Sequence, residues 1–325
     1  MKTISVVIPT YNEEENIEDA YHRVKALFDG ALSSYRYEII YIDNDSSDCS
    51  RKQIQMLCAM DQGVKAIFNA KNFGFSRSTY YGLTQATGDC AILLYADMQD
   101  PPEVIPEFVE KWESGAKIVC GVKNKSKENP LMYLLRKCYY KIIHRISEID
   151  HIEQFDGFGL YDAGFIAVLR QLDDPVPYLR GIVAELGYQR ESVFYEQKRR
   201  EKGSTSFNFF RLYDVAMMGI TSYSKIVMRL ATFAGFFLAM ISILIAIVTF
   251  FLKVFHVISF PIGTAAISIG VFFFGAVQLF FIGLLGEYIM SINSRVIHRP
   301  LVIEARRINF ETRQVLKTAE GKEDY

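Results

Sequence analysis

Charge is missing from two long stretches of the sequence. Residues 230–252 and 254–286 contain no Asp, Glu, Lys or Arg over 23 and 33 positions, and Lys253 alone parts them. Core helices of soluble proteins rarely run that far uncharged, whereas about 20 apolar residues cross a hydrocarbon core. The pattern predicts a hairpin of two transmembrane helices, at about 230–252 and 262–286. Cysteine is scarce: the five thiols (49, 58, 90, 120, 138) form no C-x-x-C pair. A disulfide framework and a zinc site are thereby disfavoured, and the thiols read as reduced. The five histidines (22, 144, 151, 256, 298) are scattered, which offers neither a metal cluster nor an obvious catalytic base. No G-x-G-x-x-G follows the first strand-like run and no P-loop occurs, against a dinucleotide oxidoreductase or a P-loop ATPase. No basic, short-cored leader precedes that run either, so insertion is expected to rest on the C-terminal hairpin. Lys225 and Arg229 flank it on one side, Arg295, Arg299, Arg306 and Arg307 on the other. The positive-inside rule then puts both termini in the cytoplasm, as a multi-pass protein of the inner membrane.

What is present is better seen by segment than in total. Over 325 residues, 36 Lys/Arg stand against 37 Asp/Glu, a net charge of −1 that gives no footprint for nucleic acid. Half the residues are hydrophobic and 22% charged, which excludes wholesale disorder. Residues 1–116, however, hold 10 basic and 18 acidic side chains, and residues 117–145 hold 8 and 1. The near-neutral total is a cancellation between a −8 unit and a +7 stretch. Within that stretch, residues 130–146 read as an amphipathic helix. Leu131, Leu134, Leu135, Tyr139 and Ile142 form one face, with Arg136, Lys137, Lys141 and Arg145 between them. Such a helix suits a headgroup interface, where each basic side chain near anionic lipid contributes about 1 kcal/mol.

The N-terminal unit alternates short apolar strands with helical runs. Strands are predicted at 5–10, 38–43, 64–68 and 90–95, the first followed by a helix through about Phe28. Strand and helix in alternation predict an α/β fold with a mostly parallel sheet, and ligands outside the carboxyl ends of its strands. Asp43, Asp45, Asp97 and Asp100 all fall at such ends. Carboxylates gathered there would repel an anionic ligand unless a hard cation such as Mg²⁺ or Mn²⁺ stood between them.

With these motifs in order, the chain resembles the inverting family-2 glycosyltransferases of GT-A fold, and among them the polyprenyl-phosphate glycosyltransferases. These comprise dolichyl-phosphate mannose synthases and bactoprenol (undecaprenyl-phosphate) glucosyltransferases of the GtrB type. The resemblance is carried by Val6-Val-Ile-Pro-Thr-Tyr-Asn-Glu-Glu14, Asp43-Asn-Asp-Ser-Ser-Asp48, Asn72-Phe-Gly74 and Ala96-Asp-Met-Gln-Asp-Pro-Pro-Glu103. It continues through Gly157-Phe-Gly-Leu-Tyr-Asp162, Leu179-Arg-Gly181, Gly219-Ile-Thr-Ser-Tyr-Ser224 and Gly286-Glu-Tyr288. It implies a GT-A catalytic domain with interfacial helices over 1–226, two transmembrane helices within 227–290 and a cytoplasmic tail over 291–325. Pro9, Tyr11, Glu13 and Asp43 would form the nucleoside pocket, and Asp97 and Gln99 would hold Mg²⁺ or Mn²⁺ on the diphosphate. Arg200 and Gly203, in 198–205, would close over the donor phosphates, with Asp97 and Arg200 acting in catalysis. Lys123, Arg136 and Lys137 would meet the acceptor phosphate.

Three motifs depart from the family pattern. The metal motif often reads Asp-Ala-Asp, but Tyr95 stands at its first position. Asn44-Asp45 replaces Asp-Gly in the second-strand motif. Thr205-Ser206 replaces Ser/Thr-Lys after Gly203. The reaction implied is transfer of a hexose, glucose from UDP-glucose favoured, with inversion to a polyprenyl phosphate. GDP-mannose or UDP-N-acetylglucosamine are the alternative donors. An acceptor that is already anionic needs no strong general base, which agrees with the scattered histidines. A processive polysaccharide synthase would need a Gln-x-x-Arg-Trp motif, and the sole Trp is Trp112. A non-catalytic, membrane-anchored nucleotide-sugar binder is the competing reading, supported only by Tyr95. Small residues in the spans (Gly235, Ala239, Gly270, Gly275) would let helices approach closely in a homo-oligomer.

Overall fold

The computed structural model describes residues 1–124, 152–197 apart from 153, 173 and 176, 263–296 and 299–310, with isolated positions between 233 and 255. Four parallel strands form the centre of the molecule: β1 (Thr3–Thr10), β2 (Arg36–Asp43), β3 (Val64–Asn69) and β4 (Cys90–Leu93). The helices that return the chain between them are α1 (Ile17–Asp29), α2 (Ser50–Met60) and α3 (Phe75–Gln85). A 3₁₀ turn at Pro102–Val104 leads into α4 (Ile105–Glu113) and β5 (Ile118–Lys123). There follow β6 (Gly159–Asp162), α5 (Ala163–Gln171), α6 (Leu179–Glu185), β7 (Arg190–Tyr195), α7 (Gly263–Val296) and β8 (Glu304–Ile308).

All eight strands belong to one sheet, in the order β7-β5-β6-β4-β1-β2-β3-β8. β1 pairs in parallel with both β2 and β4, and β2 with β3, as the alternating pattern predicts. The α/β, mostly parallel expectation therefore holds at the centre. Antiparallel pairs enter only through β6, lying between β4 and β5, and through β8 on β3. Near-continuous apolar runs mark strands covered on both faces. Ile4, Val6, Ile8, Ile39 and Tyr41 pack against α1, α2 and α4, while Val7, Ile40 and Ile42 face α3 and α5.

β8 is the feature least anticipated by sequence. It lies within the segment expected to be a tail, yet Ala66 pairs with Ile308 and Phe68 with Arg306. Asn309 donates its side-chain amide to the carbonyls of Cys58 and Val64 at 2.7 and 2.8 Å, pinning the strand's end to the domain. The backbone of α7 is helical through most of the second apolar run, and its side chains are described only at intervals. Among the described residues, no helix is long and apolar enough to cross a membrane. The first predicted span, at 230–252, lies outside them except at isolated positions, as do the basic helix 130–146 and the residues beyond 310.

At the amino end of the sheet, Glu38 is 3% exposed, opposite Ser5 in the β1–β2 register. Its carboxylate accepts from Ser5 Oγ, from Lys65 Nζ at 2.5 Å and from the Thr87 amide and hydroxyl at 2.5 and 2.8 Å. Burial opposes its ionisation, but Lys65, Ser5 and Thr87 outweigh that and hold the carboxyl below its ordinary value. A depressed folded value means stability that is full once the unfolded carboxyl is ionised, above about pH 4.5, and is lost as pH falls through the folded value. Glu38→Gln is expected to destabilise the protein by about 2–4 kcal/mol at neutral pH. In denaturant titrations the difference from wild type should shrink on acidification below about pH 4. A pH-independent difference would show that the ionised form carries none of it.

Candidate active site

In an open parallel sheet, ligands settle where the strand order reverses, outside the carboxyl ends. Here that point lies between β1 and β4, since β1 sends its neighbours out in opposite directions. Asn12 follows β1, Asp45 follows β2 and Met98 follows β4, and each has φ in the left-handed region, at 53°, 68° and 54°. Asn and Asp adopt that backbone readily. A Met there is unusual, and such conformations persist only where their surroundings enforce them. Met98 is buried in the main core, which supplies that enforcement.

The loops after β1 and β2 are hydrogen-bonded into one unit. The Asn12 amide donates to Ser46 Oγ at 2.9 Å, and the Ser47 amide returns to Asn12 Oδ1 at 2.8 Å. The Glu13 amide donates to Ser50 Oγ, and the Cys49 amide to Glu14 Oε2 at 2.7 Å. Of the predicted nucleoside pocket, Pro9 and Asp43 lie on neighbouring strand ends, while Tyr11 is exposed and Glu13 half-buried in the loop above. Asp43 is completely buried and already engaged. It accepts from Arg51 Nε at 2.6 Å and from the Ser46 amide at 3.2 and 3.3 Å. Arg51 also reaches Asp45 Oδ1 at 3.1 Å and the Asn69 carbonyl at 2.8 Å, tying the ends of β2 and β3 together. No motif singles out Arg51, because its role depends on α2 packing back against β3. Asn44, one of the departures, accepts from Asn69 Nδ2 and the Phe73 amide and donates to Asn72 Oδ1. Its amide orders the loop into α3 rather than facing the pocket of Asp43.

The second cluster gathers at the ends of β4, β5 and β7. Asp97 and Gln99 are half-buried, with the Gln99 amide donating to Asp97 Oδ1 at 3.3 Å and Gln197 Nε2 to Gln99 Oε1 at 3.0 Å. Asp100, 1% exposed, accepts from the Tyr195 hydroxyl at 2.6 Å. Lys123 Nζ stands 2.5 Å from Asp156 Oδ2 and 3.7 Å from Asp100 Oδ1. Burial, then the charges of Asp156 and Asp97, push the Asp100 carboxyl up to about 7, against the pull of Lys123 and Tyr195. Burial works to lower Lys123, but Asp156 and Asp100 override it and raise its value. Both shifts reflect burial and the close approach of Asp156, Asp100 and Lys123 at this edge, with Arg180 near enough to act on Lys123 as well. Asp156 was not among the predicted site residues; the Asp-Gly-Phe-Gly run around it was the available signal. Asp162, by contrast, caps α5 through the Gly164 amide and bonds Trp112, a structural role.

Tyr95 also belongs here. Burial holds its phenol protonated, well above the ordinary range, and its hydroxyl donates to the Asp156 carbonyl at 2.8 Å. A divalent metal fits the donor set, though sparsely. Asp97 offers one carboxylate and Gln99 one amide oxygen beside an excess of negative charge. Among the described residues, no three His, Cys, Asp or Glu side chains converge as a metal site. Mg²⁺ and Mn²⁺ accept such a minimal set when a diphosphate and water complete the shell. Arg136, Lys137, Arg200 and Gly203 lie outside the described residues.

Comparison with known proteins identifies the family. Residues 5–174 match the family model described as Glycosyl transferase family 2. A bactoprenol glucosyl transferase of Shigella phage SfV is 33% identical over 302 residues, covering 92% of this chain and 97% of that one. A prophage bactoprenol glucosyl transferase homolog of Escherichia coli K12 is 31% identical over 310 residues, covering 93% and 98%. Among solved structures, glucosyl-3-phosphoglycerate synthase of Mycobacterium tuberculosis, in complex with Mn²⁺, UDP-glucose and phosphoglyceric acid, aligns at 17% identity and a TM-score of 0.43. That alignment covers 68% of this chain and 78% of the other.

Removing Arg51 leaves the buried Asp43 carboxylate without its cation. Arg51→Met is expected to lower unfolding free energy by about 2–3 kcal/mol, less than for a fully buried pair because Arg51 itself is partly exposed. Urea titration at neutral pH measures it; a change under about 0.5 kcal/mol would deny the pair a holding role.

Proposed function

The chain belongs to glycosyl transferase family 2 and is a glycosyltransferase, and we propose that it transfers a hexose to a polyprenyl phosphate at the cytoplasmic face of a membrane. The favoured reaction takes glucose from UDP-glucose and inverts the anomeric carbon, giving a lipid-linked monophosphate sugar. The observation that carries this reading is the carboxylate-rich edge at Asp97, Asp100 and Asp156 with Lys123 inside it, in a chain aligned almost end to end with bactoprenol glucosyl transferases. The uncharged runs at 230–252 and 254–286 support a membrane hairpin that would bring this edge to the lipid surface.

The roles of the residues follow from their chemistry. The loops of Asn12, Ser46 and Ser47 are hydrogen-bonded into one unit, beside which Tyr11 and Glu13 would take the nucleoside. Asp97 and Gln99 would hold the divalent cation, which when bound neutralises charge developing on the leaving diphosphate. Arg200, in the segment with Gly203, would add a guanidinium to the same oxygens. Lys123, Arg136 and Lys137 would attract the lipid phosphate, whose own charge makes it nucleophilic without a strong base. Lys123 carries that task while balancing Asp156 and Asp100, so acceptor binding and carboxylate order are linked through one ammonium.

Asp97→Asn is expected to reduce transfer by at least about 100-fold while leaving membrane insertion intact. The assay is lipid-linked product from a panel of nucleotide sugars with undecaprenyl phosphate and Mg²⁺ or Mn²⁺; undiminished turnover in the variant would remove Asp97 from the site. Lys123→Met should raise the KM for undecaprenyl phosphate more than that for the nucleotide sugar. The reverse order would assign Lys123 to the donor.

A further inference from the structure

Tyr95 occupies the position where the metal motif often carries a carboxylate, and the structure gives it a different task. Its hydroxyl donates to the main-chain carbonyl of Asp156 at 2.8 Å, across 61 positions of sequence. Its ring packs on Phe75 at the start of α3, with centroids 5.5 Å apart. The residue after Asp156 is Gly157, with φ of 117°, and a Cβ built there would come within 2.8 Å of the Tyr95 hydroxyl. The glycine thus supplies both the backbone conformation and the space that the phenol needs. On its other side Asp156 is held by the Phe158 amide, which donates to Oδ1 at 3.2 Å, and by Lys123 at Oδ2. Three contacts therefore fix one residue: a phenol on its carbonyl, an amide and an ammonium on its carboxylate.

We propose that Tyr95 is a positioning residue: it braces the segment around Asp156 so that the Asp156 carboxylate and the Lys123 ammonium keep a fixed place beside Asp97. A phenol that donates to a carbonyl brings no charge, so Tyr95 adds none to an edge that already gathers Asp97, Asp100 and Asp156. It exchanges a position able to bind metal for one that binds backbone. Asp97 and Gln99 are then the side chains of the 95–99 turn that would hold a divalent cation. This rests on the transferase reading above, and the test separates the two.

Full-length protein in detergent is compared with Tyr95→Phe and Tyr95→Asp by amide hydrogen exchange, by Mn²⁺ binding in electron paramagnetic resonance, and by transfer from UDP-glucose to undecaprenyl phosphate. In Tyr95→Phe, exchange at Phe158 should accelerate about tenfold, because the brace on its neighbour is gone, while Mn²⁺ affinity and melting temperature stay near wild type. Its kcat should fall about tenfold with the UDP-glucose KM within twofold. Tyr95→Asp should bind Mn²⁺ more tightly and still turn over more slowly than wild type. Unchanged exchange at Phe158 in Tyr95→Phe overturns the proposal whatever the activity does. So does a kcat equal to wild type, a loss of activity that merely tracks loss of folded protein, or a Tyr95→Asp variant as fast as wild type. A wild-type protein that transfers from no nucleotide sugar strikes at the transferase reading instead, and the exchange result still decides the role of Tyr95.

Discussion

Like charges crowded at one edge of a sheet are the constraint to which the rest of this structure answers. Parallel strands end together, so whatever their last residues carry is brought together too. In this protein they carry carboxylates. Among the described residues, Arg51 bridges Asp43, Asp45 and the β3 carbonyl, and Lys123 stands between Asp100 and Asp156. Burial, with Asp156 and Asp97 nearby, still raises the Asp100 carboxyl. Carboxylates held in place at the strand ends are the arrangement that the proposed cation-bearing nucleoside diphosphate sugar would need.

The central sheet was legible in the sequence because each parallel strand is covered on both faces and so appears as an unbroken apolar run. Val6-Val-Ile8 and Ile39-Ile-Tyr-Ile42 cannot be placed otherwise. The strand-end carboxylates were legible for the same reason, since a strand's end is also the end of its apolar run. What could not be read were the partners that long-range packing supplies. Arg51 meets Asp43 only through the turn of α2, and Lys123 meets Asp156 only because β6 inserts antiparallel between β4 and β5. β8 was hidden as well: Glu-Ala-Arg-Arg-Ile shows no alternation, because an edge strand needs a backbone partner more than a buried face.

The departures from the family pattern are of two kinds once their surroundings are known. Asn44 spends its polar group on loop order, bonding Asn69, Asn72 and the Phe73 amide. Tyr95 has turned toward a backbone carbonyl, and Gly157 leaves it the room. Both side chains have hydrogen-bond partners of the right polarity, which is the mark of an accommodated change; Thr205 and Ser206 lie outside the described residues.

The return of the chain to the sheet at β8 has a meaning for the order of synthesis. In sequence, both uncharged runs lie between β7 and β8, the strands at opposite margins of the sheet. β3 would otherwise present a bare edge, and β8 closes it with chain that can arrive only after the apolar portion has been made. Completion of the sheet is thereby timed to follow synthesis of the uncharged runs.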